Sequence, residues 1–362
     1  MMCGIFCIRN EVCVSINHDT EKYNLTNAPL NKVQKCAVKL MQNDLRLFST
    51  LRCYQEISTP SYYIALMPYM GLIVDGIEDW VNAYDNSSKQ KLKLPTFTDE
   101  EEKYYSEMRK SIKLFEKGYA NLNSILYDNY VKSDIYFSSL CKPMARHLHL
   151  YDIYGVFYCN SVPCNNTVLA QIVTPFFSFD KTDEEKTVEM AKIGGEYISC
   201  FNATEPYKIK SDFNFTTKDF CGFVKSPFGN KYNYKFLLFT ILCQINFIVY
   251  SVDNFIVDET STKLRFAYIL YYYLLALLPD IKEILNISII MDDKYHSDIF
   301  RNAMAHYKLG VSLKENDIID SDPMFGLTQK LFSEDYYTVK SNIISELNKA
   351  GKQIQSIINL NY

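Results

Sequence analysis

The run from Phe300 to Gly310, FRNAMAHYKLG, holds Arg301, Asn302 and, five residues after the arginine, His306. An unperturbed imidazole can move protons near neutral pH. A guanidinium offers a permanent forked cation for charge building on a phosphorus atom. Cleaving RNA without a metal needs both, so these residue types and this spacing point to phosphodiester chemistry. On a helical wheel at about 100° per residue, Ala303, Met304 and Tyr307 fall within roughly 60° of Phe300 and form an apolar stripe. Arg301, Asn302, Ala305 and His306 occupy the opposite side, in an arc of about 140°. Ala305 sits in the middle of that arc, where a methyl group lets another helix or a phosphate backbone come close. Gly310 is expected to end the helix as a C′ glycine, and Asp292 or Asp293 to cap its start.

The elements that must position this run are mainly helical. Asn27 and Pro29 open a segment with apolar residues at Val33, Cys36, Leu40, Leu45, Phe48 and Leu51 that ends before Pro60. A second apolar segment runs from 62 to 84, and a charged helix is expected from 99 to 127 after a Lys-rich loop. The middle changes character: YDIYGVFYC (151–159) and TVLAQIVTPFFSF (167–179) are expected to pair as strands across SVPCNN. Thr182 and Glu185 form a capping box for a helix to Cys200, and a loop over 202–230 follows. From 232 the pattern predicts helices over 232–256, 260–285, 293–309 and 333–358, an antiparallel bundle. The expected divisions are a helical accessory region at 1–130, a mixed α/β linker or insertion at 131–230 and the helical bundle at 231–362.

Composition fits an ordinary folded protein of 362 residues, 48% hydrophobic and 22% charged. The net charge of −4 supplies no global basic field, so any RNA binding must come from a local patch or from dimer geometry. Eleven scattered cysteines and no long apolar leader near the start fit reduced thiols in a cytoplasmic setting. Cys3 with Cys7 and Cys159 with Cys164 lack zinc-site spacing and a histidine cluster, so no metal or other cofactor is expected. FLLFTILCQINFIVYSV (236–252) carries Gln244 and Asn246, and the very apolar run 266–278 has only 13 residues. A bilayer crossing wants about 20 residues, so both are expected to be buried core helices.

R-N-A-M-A-H-Y (301–307) on the third of four C-terminal helices resembles the HEPN superfamily, which includes toxins of toxin–antitoxin pairs, abortive-infection proteins and RNases of CRISPR effectors. The resemblance covers about 130 residues. It implies a homodimer whose motif helices face each other and a metal-independent endoribonuclease that leaves a 2′,3′-cyclic phosphate and a 5′-hydroxyl. His306 would serve in acid/base catalysis, Arg301 would bind the scissile phosphate, and Asn302 would orient the histidine or a phosphate oxygen. RNA is the implied substrate, with an antitoxin or regulatory partner. The alternative is a non-catalytic helical binding or dimerisation protein; Arg301 and His306 tied into ion pairs inside one subunit would favour it.

Other candidates are weaker. His147 and His149, beside Arg146, fit an alternating strand or loop, and His296 sits among Asp292, Asp293 and Asp298, read as helix-start capping. Met2–Phe6, MCGIF, resembles the start of class II glutamine amidotransferases, but Met1 precedes it and the glutamine-binding motifs do not follow.

Overall fold

The computed structural model describes residues 29–54, 60–88, 92, 94, 98–140, 155–166, 194–212, 215–219, 232–319 and 323–360. The MCGIF run, His147, His149, the expected strand at 167–179 and the Thr182–Glu185 box lie outside these residues. The chain is mainly helical with a small antiparallel sheet mid-chain.

Helix α1 spans Lys32–Tyr54, α2 Pro60–Ser88, α3 Asp99–Ile112 and α4 Gly118–Leu140. The single helix expected over 99–127 is therefore two. A short 3-10 turn at Phe115–Lys117 separates them, and Gly118 takes φ 80°, a conformation an L side chain rarely adopts. The Asp280 carboxylate then accepts the Tyr119 N–H at 3.2 Å, satisfying a backbone donor that the broken helix leaves free.

Strand β1 is Gly155–Cys159, β2 Val162–Asn166 and β3 Phe215–Asp219, in the order β2-β1-β3, all antiparallel. The turn is tighter than the sequence suggested. Asn160 and Ser161 take φ 48° and 68° and form a two-residue hairpin, so VPCNN becomes strand rather than connection. β3 falls in the stretch read as a loop; its partner is 56 positions or more distant in sequence, and period alone does not reveal such a pairing. Asn246 donates to the Pro163 carbonyl at 2.9 Å, fastening β2 to the next helix.

Helix α5 runs Tyr234–Phe255 with a π-helical turn at Phe247–Val252, and α6 is Ser261–Leu285. Both are long and apolar enough to cross a membrane, yet they are largely buried inside the fold. α6 and α9 (Tyr336–Ile358) pack on each other, and α5 packs on α9. The motif helix α7, Asp298–His306, is shorter than the 293–309 expected. Ser297, not Asp292 or Asp293, is its N-cap, accepting the Phe300 N–H at 3.2 Å. Tyr307, not Gly310, closes it, at φ 52°. A further helix, α8 at Pro323–Phe332, lies where no element was expected. The apolar core is continuous from α1 through α9, so the N-terminal helices and the C-terminal bundle share one interior.

Candidate functional site

The apolar stripe of α7 is buried as the wheel requires: Phe300, Ala303, Met304 and Tyr307 are each at most 1% exposed. Phe300 packs edge-on against Tyr268 of α6, with ring centroids 4.4 Å apart. A buried polar knot fixes the helix end. Arg265 of α6 and Asp44 of α1 form a 2.5 Å ion pair with both side chains fully buried. The Tyr307 hydroxyl donates to Asp44 at 2.7 Å and accepts from Arg265 at 2.8 Å, and Arg265 also donates to the Met304 carbonyl. The residue after His306 is thus tied to two other helices, which leaves His306 little freedom to rotate away.

Arg301, Asn302 and His306 do share one face, and the structure shows what stands around it. Ala305 is buried; the element that comes close is α2 of the same chain, at Gly76. His306 Nδ1 lies 2.5 Å from Oδ2 of Asp79 on α2. Arg109 of α3 reaches the same imidazole, its Nη2 3.2 Å from Nδ1 and 3.1 Å from Nε2. Both ring nitrogens are thus within hydrogen-bond distance of one guanidinium nitrogen, and the tautomer decides which of them accepts. Asp75, one turn before Asp79, pairs with Arg109. Arg301 Nη2 donates to Glu116 in the 3-10 turn at 3.0 Å, and Nη1 to the Asn302 side-chain oxygen at 2.9 Å. Its guanidinium carbon lies 5.4 Å and 5.9 Å from the ring centres of Tyr272 and Tyr273. His306 and Arg301 keep 18% and 19% of their side-chain surface open, so both are reachable but constrained.

The electrostatics follow from these contacts. The His306 hydrogen bond holds the Asp79 carboxyl below its ordinary range, outweighing the opposing effect of partial burial. Burial lowers Arg109 to about 10, still a cation at neutral pH, and lowers Lys113, with the Arg109 charge acting in the same direction. Burial and the Asp298 hydrogen bond push Tyr272 up to about 12, so it stays a neutral donor. The cations Arg109, Lys113, Arg301 and Lys308 face Asp75, Asp79, Glu116 and Asp298 across the patch. The acidity of the whole chain is not concentrated here.

Motif spacing points to Arg301, Asn302 and His306 but not to Asp75, Asp79, Arg109, Lys113 and Glu116, which other elements bring to them. The available signal was the DGIED run, in which two aspartates one turn apart flank a glycine inside an otherwise apolar helix. Arg109, placed beside the buried Met108 and on the same side as Tyr105, was the other. Of the three aspartates around His296, Asp298 stands in the first turn of α7 and accepts from the Tyr272 hydroxyl, while His296 itself stacks on Tyr272 at 4.7 Å. Cys159 and Cys164 are buried free thiols, and no group of His, Cys, Asp and Glu able to hold a metal occurs among the described residues. No protein-family model, curated protein or solved structure matches this chain.

Proposed function

We propose that this protein is a metal-independent endoribonuclease of HEPN type. The observation that carries the reading is the single partly open face on which His306, Arg301 and Asn302 stand beside two further cations, Arg109 and Lys113. Support for a HEPN-like bundle comes from α5, α6 and α9 packing together, with α7 against α6. In the reaction, an imidazole nitrogen of His306 takes the ribose 2′-OH proton as that oxygen attacks phosphorus, or returns a proton to the departing 5′-oxygen. Arg301 offers its fork to the non-bridging oxygens of the pentavalent phosphorane, and Asn302 holds that fork in orientation. The products are a 2′,3′-cyclic phosphate and a 5′-hydroxyl. A second copy of the chain, facing α7 to α7, would complete a composite cleft, and a regulatory or antitoxin-like partner would restrain it in a cytoplasmic setting.

The pairing of His306 with Asp79 and of Arg301 with Glu116 inside one subunit favours a second reading, a helical binding or dimerisation module in which these side chains brace the fold. Incubation with structured RNA in EDTA separates the two. The native protein is expected to cut and His306→Ala and Arg301→Ala not to; no cutting by any form, or equal cutting by all, overturns the nuclease reading.

A further inference from the structure

Two aspartates one turn apart on α2 have different partners. Asp75 pairs with Arg109, whose side chain is nine-tenths buried, while Asp79 lies 2.5 Å from His306 and 3.5 Å from Arg109. Arg109 is thus held chiefly by Asp75, and the Asp79 Oδ2 makes its shorter contact with the imidazole. Helix packing dictates this reach. A Cβ on Gly76 would stand 2.7 Å from the Ala305 carbonyl and 3.0 Å from the Tyr307 ring, so the α2 backbone touches the last turn of α7. Asp79, three residues on, shares that face, and His306 directly follows Ala305. A Cβ on Gly71 would likewise stand 2.6 Å from the Arg109 backbone nitrogen, which seats α3 against α2 at the level of that arginine.

We infer that Asp79 is the positioning residue for His306: its carboxylate accepts a hydrogen bond from Nδ1–H, fixes the tautomer and ring plane, and makes Nε2, 3.1 Å from Arg109 Nη2, the basic nitrogen. The catalytic consequence rests on the nuclease reading; the positioning does not. The groups facing the imidazole are Asp75 and Asp79 from α2, Arg109 from α3, Lys113 after it, and Arg301 and Lys308 from the motif segment. Asp79 is a better acceptor than an amide would be, because a charged acceptor makes the shorter and stronger bond.

The test is nitrogen NMR of the full-length protein with labelled histidine, at a pH of about 9, well above the ordinary imidazole range. His306→Ala identifies the signal among the five histidines. The native protein is expected to show His306 with its proton on Nδ1, and Asp79→Asn to lower that share while the other histidine signals stay in place. A native proton on Nε2, or a tautomer indifferent to Asp79→Asn, overturns the inference whatever the activity. In RNA cleavage the same variant is expected to lower kcat by up to about 10⁴-fold, the loss seen when a triad histidine loses its orienting carboxylate, with KM little changed. The expected tautomer shift in a protein that cleaves no RNA would overturn the nuclease reading alone.

Discussion

At the scale of residues, the central feature is one imidazole held between a carboxylate and a guanidinium from different helices. His306→Ala is expected to lower RNA cleavage by about 10²–10⁴-fold, the usual contribution of general acid–base catalysis. Arg301→Lys keeps the charge and loses the fork, and is expected to lower kcat by about 10²-fold. Asp79 also gives a pH signature. Its folded carboxyl titrates below the ordinary value of 3.8. Its contribution to stability is therefore fully present above the unfolded value and is lost as pH falls through the lower folded one. Thermal melts of native protein and Asp79→Asn are expected to differ at pH 6 and to converge as pH falls below the ordinary carboxyl range through the lower folded value; a constant gap throughout would contradict the assignment. The face shared by Arg301, Asn302 and His306 was legible in the sequence because it depends on helical period over a few residues. Asp79 was not, since it stands 227 positions away and only tertiary packing brings it to His306.

At the scale of elements, α7 is short, nine residues, and an isolated helix of that length is marginal in water. Its ends and its buried face must hold it. Ser297→Ala is expected to cost about 1 kcal/mol by leaving the Phe300 N–H without its side-chain acceptor, as read by denaturant unfolding. At Gly76 an added methyl would meet the Ala305 carbonyl. The expected overpacking cost of about 1–3 kcal/mol exceeds the gain of up to about 1 kcal/mol in helix propensity. Gly76→Ala is therefore expected to be destabilising and to loosen the contact between Asp79 and His306. The long apolar helices and their approximate ends could be read from sequence because composition and period agree there. The helix ends at Tyr307 and Gly118 could not: each depends on a residue at positive φ whose surroundings are fixed by partners elsewhere in the fold.

At the scale of the whole molecule, the buried knot of Asp44, Arg265 and Tyr307 joins α1, α6 and the end of α7. Removing one partner leaves an uncompensated buried charge, so Asp44→Ala is expected to destabilise by about 3–5 kcal/mol. The single tryptophan, Trp80 on α2 beside the site, is nearly buried and stacks on Tyr84, so its fluorescence can follow that unfolding. The N-terminal helices have a direct part in the site: α2 supplies Asp75 and Asp79, α3 Arg109, and the α3–α4 turn Glu116. The central claim is that this face cleaves RNA by attack of the ribose 2′-hydroxyl. Mass spectrometry of the ends released from a short RNA in EDTA tests it most directly. A 2′,3′-cyclic phosphate with a 5′-hydroxyl, made by the native protein and lost in His306→Ala, is the expected result; a 5′-phosphate with a 3′-hydroxyl, or the same ends from His306→Ala, would contradict it.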